Sequence, residues 1–182
     1  FNFMNYFGKP RSGPVKDYGN TIFRTGAKDL YRFFLKLGPI SNTQGEKYFN
    51  NKSQIWNEYV QHDTYDTYWQ ARNIRQHLKN IGIPTLVVGG WFDAEDLFGA
   101  LKTYETIEKQ NIKNNTKIVM GPWTHGAWAA PEWNKFASHD FGSNTSKHYQ
   151  DSLETTFFNY YLKEKGNFTA AEATIFETGS NK

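Results

Sequence analysis

Two short stretches hold the residue types that could perform acid–base chemistry: Asp93, Glu95 and Asp96 in one, His125 in the other. A carboxylate hydrogen-bonded to an imidazole holds one tautomer, stabilises the protonated ring, and frees the second ring nitrogen to act as a general base. Asp93 and His125 are candidates for those two roles. The competing reading is structural: Asp93 caps the helix that follows it, and His125 is a hydrogen-bonded loop residue. Glu95 and Asp96 pose a separate question, because three carboxylates within four positions repel one another by a few tenths of a kcal/mol or more per close pair. A helix N-terminus offsets this by about 0.3–1 kcal/mol per acid. At the ligand-facing end of a sheet the same acids would instead attract a cationic group such as an ammonium. Capping and ammonium binding both remain open on the residues alone.

The elements that must position these groups run from Ile83 to Gly126. Pro84 to Val88 is a short apolar, β-branched run of the kind buried in parallel sheets. It stops at Gly89 and Gly90, and the acidic stretch follows. Leu97, Ala100, Leu101, Tyr104 and Ile107 recur at three- and four-residue spacing, which predicts an amphipathic helix. Lys117 to Met120 reads as a second buried strand, from whose end Gly121-Pro-Trp-Thr-His125-Gly126 departs. Asp93 and His125 would thus stand at the same end of neighbouring parallel strands, where open α/β sheets bind ligands. The order acid then histidine on successive strands, with a serine earlier, is that of α/β-hydrolase triads.

The flanking chain reads as follows. Residues 1–26 predict loop with one short helix, and helices are expected over 27–37, 46–60 and 65–80, the second weakened by Asn50 and Asn51. Lying before the sheet, they suggest an inserted cap or lid over residues 1–80. The loop from His125 to about Ser146 is unusually aromatic, with Trp128, Trp133, Phe136 and Phe141, and long loops of this kind often line a site. A helix is predicted over 147–165, stopped by Gly166 and Asn167. Residues 171–178 read as the first strand of a further element.

Composition excludes several classes. Aromatic residues make up 18% and charged residues 21%, which describes a folded protein and not a disordered tail. The formal charge of +3 is small and the basic residues do not cluster, so neither nucleic acid nor an anionic membrane is an expected partner. No run approaches the roughly 18 apolar residues of a membrane span. Without cysteine there is neither a disulfide nor a thiol nucleophile. His62, His77, His139 and His148 show no zinc-ligand spacing, so no metal is expected, nor any other cofactor. Asn167-Phe-Thr169 matches a glycosylation sequon.

The stretch Val88-Gly-Gly-Trp-Phe-Asp-Ala-Glu-Asp-Leu-Phe-Gly99, followed by Gly121-Pro-Trp-Thr-His-Gly126, resembles the CocE/NonD hydrolases. These are the peptidase S15-like group of α/β-hydrolases, with cocaine esterase, X-Pro dipeptidyl-peptidases, glutaryl acylase-like proteins and α-amino-acid ester hydrolases. Tyr65-Asp-Thr-Tyr-Trp-Gln-Ala-Arg72 resembles the segment leading from that family's helical cap back to its sheet. The resemblance implies Asp93 as triad acid and His125 as triad base. The Asp-Ala-Glu-Asp run is most similar to that of the α-amino-acid ester hydrolases, which places Glu95 and Asp96, with Trp91 beside them, in the substrate site as ammonium ligands. The fold it implies is α/β: the C-terminal part of a hydrolase sheet (81–168) behind an inserted helical cap (1–80), ending at the start of a jelly-roll domain (169–182). It also implies a small ester, amide or short peptide as substrate, a periplasmic or secreted setting, and leaves a homo-oligomer open.

One feature of that family is missing from these residues. No Gly-x-Ser-x-Gly elbow occurs, and none of the eight serines sits at a strand-to-helix turn. The expectation is therefore a C-terminal catalytic portion whose serine and oxyanion donors belong to a preceding part of the same protein, and which is inactive by itself. Two alternatives stay open: a related enzyme on other esters or N-terminal dipeptides, with Glu95 and Asp96 serving only the helix, and a non-catalytic module whose aromatic loop 127–141 recognises a partner.

Overall fold

The computed structural model describes residues 1–17 and 19–177, in two compact units, Phe1–Asn73 and Ile74–Lys182. Among its described residues the first holds the α-helices α1 (Asn2–Phe7), α2 (Leu30–Leu37), α3 (Gln54–Gln61) and α4 (Thr67–Ala71) and a 3-10 turn, Ile40–Gln44. Its core is aromatic. Phe49 and Trp56 are buried, with ring centroids 5.0 Å apart, and Phe1 and Phe23 meet Phe49 edge-on at 5.6 and 5.2 Å. The one polar atom of the Trp56 ring is satisfied by the Thr43 hydroxyl at 2.6 Å, as a buried indole requires.

Two predicted helices are shorter than their apolar periodicity suggested. Over 46–60 the helix starts only at Gln54, because Asn50 and Asn51 adopt left-handed backbone angles (φ 48° and 51°) and Ser53 then caps the new start by accepting from Trp56 N–H. Asparagine tolerates that conformation better than other side chains. Over 65–80, Asp66 caps a helix that ends at Ala71, and a single 3-10 turn, Ile74–His77, follows. His62 Nδ1 lies 2.6 Å from Asp66 and its ring stacks on Tyr68 at 4.3 Å.

The second unit is α/β. Strands β1 (Thr85–Gly90), β2 (Thr116–Gly121) and, late in the chain, β5 (Ala173–Ile175) form a parallel sheet in the order β1-β2-β5, with α5 (Leu97–Gln110) as the crossover between the first two. The strand expected in the tail is therefore found as β5, and among the described residues it extends this sheet instead of beginning a separate one. Beyond β2 come a small hairpin, β3 (Lys135–Phe136) and β4 (His139–Asp140), and the helices α6 (Thr145–Tyr149) and α7 (Thr155–Lys163). The predicted continuous helix 147–165 is divided by a π-helical segment, Gln150–Glu154. Val119, Trp123, Ala127 and Tyr149 form the buried cluster, with Leu86, Val88, Trp128, Trp133 and Leu153 packed on it. Each large side chain withdrawn from water there contributes about 1.5–3 kcal/mol.

β1 and β2 run in register to their last residues, Gly90 opposite Gly121, so both strands finish at one rim. The ladder continues past that rim: Trp91 N–H donates to Gly121 C=O at 2.9 Å, and Phe92 N–H to Trp123 C=O at 3.0 Å. Glycine permits the approach, since a Cβ on Gly90 would stand 2.1 Å from the Trp123 carbonyl oxygen. Both atoms in that clash are backbone-anchored, so a side chain there must push the two turns apart. We expect Gly90→Ala to cost about 1–3 kcal/mol, measured as a shift of the urea midpoint at unchanged m-value; an unshifted midpoint would show that the turns tolerate separation.

Candidate active site

The turn after β1 brings Asp93 back beneath the strand end, its N–H donating to Gly90 C=O at 3.1 Å. Asp93 is buried, 7% exposed, and its two carboxylate oxygens have different partners. Oδ1 accepts from the backbone N–H groups of Glu95 (2.9 Å) and Asp96 (3.0 Å). Oδ2 lies 3.0 Å from His125 Nδ1. One oxygen thus holds the turn that precedes α5, whose capping position is Asp96 and not Asp93, and the other meets the imidazole. Burial, the largest influence, pushes the Asp93 carboxyl up; the two backbone donors and His125 outweigh it and hold it below the ordinary carboxylate value.

An ionised carboxylate only accepts, so Nδ1 of His125 carries the proton and Nε2 of the neutral ring offers its lone pair. His125 is exposed, and the hydrogen bond to Asp93 raises its pKa above the ordinary imidazole value. Desolvation opposes that rise, while the charges of Asp93, Glu95 and Asp96 add to it. Nε2 faces the acidic turn as well, with a Glu95 carboxylate oxygen 3.4 Å away.

Asp96 occupies the capping position of α5, yet its side chain makes no capping hydrogen bond. Its carboxylate lies against Gly99, where a Cβ would stand 1.8 Å from Oδ1. Gly99 therefore makes room for that carboxylate, a role the sequence did not suggest. Trp91 stands two residues before Asp93, half-buried, with its N–H on the Gly121 carbonyl. Of the residues singled out by sequence, Asp93, Glu95 and His125 are brought into direct contact; Asp96 enters through its N–H on Asp93 and through its charge. Among the described residues, no group of three or more His, Asp or Glu is arranged to hold a metal ion.

The aromatic loop after His125 is braced against β2 by its polar edges. Trp133 Nε1 donates to Pro122 C=O at 2.7 Å, Trp123 Nε1 to the Thr145 hydroxyl at 3.1 Å, and that hydroxyl to Trp133 C=O at 2.8 Å. The Trp128 ring meets the His125 ring edge-on, centroids 6.2 Å apart. The density of aromatics marked this loop, but the pairing of the Trp123 and Trp133 indoles with specific acceptors is a tertiary fact that spacing does not carry.

This arrangement can take a proton from a hydroxyl placed at Nε2 and return it to a leaving group. The family model described as X-Pro dipeptidyl-peptidase (S15 family) matches residues 22–127. The chain belongs to the S15 family. The S15 match takes in both strands, the acidic turn and His125. Two solved structures share the fold: an aminopeptidase from a marine sediment Thaumarchaeota archaeon (TM-score 0.82, 23% identity over 92% of this chain) and an α-amino acid ester hydrolase (TM-score 0.83, 22% identity over 99%). The chain spans only 28% and 29% of their lengths. No curated protein matches it.

The pair has a pH signature. His125, with its raised pKa, adds stability that is full below the unfolded imidazole value of about 6.5 and is lost as pH rises through the folded value. Asp93, lowered, adds stability that is present above about 3.9 and is lost as pH falls through its folded value. An NMR titration of the His125 ring should give a midpoint above about 6.5, and Asp93→Asn should bring it down. A midpoint unmoved by that substitution would show that the contact is not made in solution.

Proposed function

We propose that this chain carries the acid and base of a Ser-His-Asp triad, in a serine hydrolase acting on α-amino acid esters or amides, with the serine contributed from outside residues 1–182. The observation that carries this reading is the Asp93–His125 contact at the common C-terminal rim of two parallel strands. S15 membership and the two fold relatives support it. The same reading takes residues 1–80 as a helical cap, 81–168 as the C-terminal part of the hydrolase domain, and 169–182 as the lead into a jelly-roll domain. On its own the chain would be inactive, since an acid–base pair without nucleophile or oxyanion donors forms no acyl-enzyme.

In the whole enzyme the serine hydroxyl attacks the substrate carbonyl while His125 Nε2 takes its proton. Asp93 stabilises the imidazolium that results, holding the ring by Nδ1. Collapse of the tetrahedral intermediate expels the alcohol or amine, protonated by His125, and leaves an acyl-serine. Water, or a β-lactam-type amine, then attacks with His125 again as base.

Glu95 supplies the argument for the substrate class. An α-ammonium is separated from the reacting carbonyl by one carbon, so acids that bind it must stand within a few ångströms of the base. Glu95 at 3.4 Å from Nε2 meets that condition. Asp96, with its carboxylate unused by the helix, is the second ammonium ligand, and Trp91 borders the acyl group. The family model's own name favours a second reading, an X-Pro dipeptidyl-peptidase. There the substrate ammonium lies a whole dipeptide away from the scissile carbonyl, beyond the reach of an acid touching Nε2.

The full-length protein should prefer a phenylglycine ester over its des-amino analogue by about 10- to 100-fold in kcat/KM, the value of one charge-assisted interaction. Equal rates on the two would remove the ammonium role, and preference for an X-Pro anilide would favour the peptidase. His125→Ala should lower kcat/KM by about 10⁴-fold; retained activity would remove the triad. Gly99→Ala should displace the Asp96 carboxylate and shrink the amino-ester preference while leaving the des-amino rate unchanged. A preference that survives Gly99→Ala would take Asp96 out of the substrate site.

A further inference from the structure

The helix that follows the aromatic loop contains a π-helical turn, Gln150–Glu154, between α6 and α7. Such turns interrupt regular helical hydrogen bonding and recur at functional sites. Gln150 opens this one, and its Nε2 lies 2.8 Å from the Trp128 carbonyl and 2.8 Å from the Ala130 carbonyl. A carboxamide nitrogen has two hydrogens, and both partners are pure acceptors, so the amide orientation is fixed and both hydrogens are donated. The two carbonyls belong to the 3-10 turn Ala127–Ala129 and the residue after it, directly downstream of His125. Trp128 is also the residue whose ring meets His125.

Between His125 and that turn stands Gly126, at φ 75°, with open space where its Cβ would be. Glycine is required there by the backbone angle and not by crowding, and it leaves the histidine's orientation weakly determined from its own side. We propose that Gln150 is a positioning residue for His125: its carboxamide clamps the 127–130 turn, which holds the Trp128 ring against the imidazole and keeps Nδ1 on Asp93. The proposal rests on the catalytic reading of His125. No sequence motif marks Gln150.

The test uses the full-length protein with active sites counted by the burst from an activated ester. Gln150→Ala, and Gln150→Met, which keeps the bulk and removes both donors, should lower kcat per titrated site by about 10- to 100-fold with KM within about twofold. The acid limb of kcat/KM should move to lower pH, because the Asp93 bond that raises the imidazole is made less often; Asp93, Glu95 and Asp96 are the charged groups acting on that ring. A glutamine that merely steadies the loop would lower Tm and the fraction of titratable sites, with kcat per site and the acid limb unchanged. That result in both variants would overturn the clamp. His125→Ala in the same assay separates the two ideas: an active His125→Ala would end the catalytic reading and the clamp together, whereas an inactive one beside normal Gln150 variants would end the clamp alone.

Discussion

A single buried carboxylate ties together the parts of this structure that bear on chemistry. Asp93 gives one oxygen to the backbone of its own turn and the other to the imidazole of the next. The first set of bonds keeps the group ionised despite its burial, and the ionised group then fixes the tautomer of His125. A neutral or differently turned Asp93 would leave both the turn and the histidine without their reference. An unpaired carboxylate buried to this extent would be costly, so the three hydrogen bonds are what allow it to sit beneath the strand end.

The rest of the second unit keeps those two turns at the right separation. Gly90 lets the chain after β1 and the chain after β2 pass within backbone hydrogen-bonding distance, Gly121 leaves room for the Trp123 ring, and the indoles of Trp123 and Trp133 anchor the loop beyond His125 to the same strand. Gln150 reaches that loop from the other end. Apolar burial supplies the stability of this region, while the polar edges of its aromatic side chains supply the register. That division explains why a stretch so rich in tryptophan forms a defined loop and not a loose apolar patch.

The parts legible in sequence were those with short-range causes. The β-branched run before two glycines, the period of Leu97 to Ile107 and the second apolar run give the β1-α5-β2 unit, and with it the co-location of Asp93 and His125. Two kinds of feature escaped. Asn50 and Asn51 adopt left-handed angles that end a helical pattern whose apolar spacing continues through them, so the periodicity overstated the helix. Gln150, Gly99 and Thr145 act through partners far along the chain or through space left empty, and a residue's type alone does not announce that. Likewise a sequence position cannot show that the two oxygens of Asp93 face different ways, one to its own turn and the other to His125.

The central claim is that Asp93 and His125 activate a serine lying outside this chain. Fluorophosphonate labelling of the whole protein, with the adduct located by mass spectrometry, tests it most directly. The account predicts one modified serine, none of it within residues 1–182, formed about 10³-fold or more slowly once His125 is replaced by alanine. A label on a serine of this chain, or a labelling rate indifferent to His125, would contradict it.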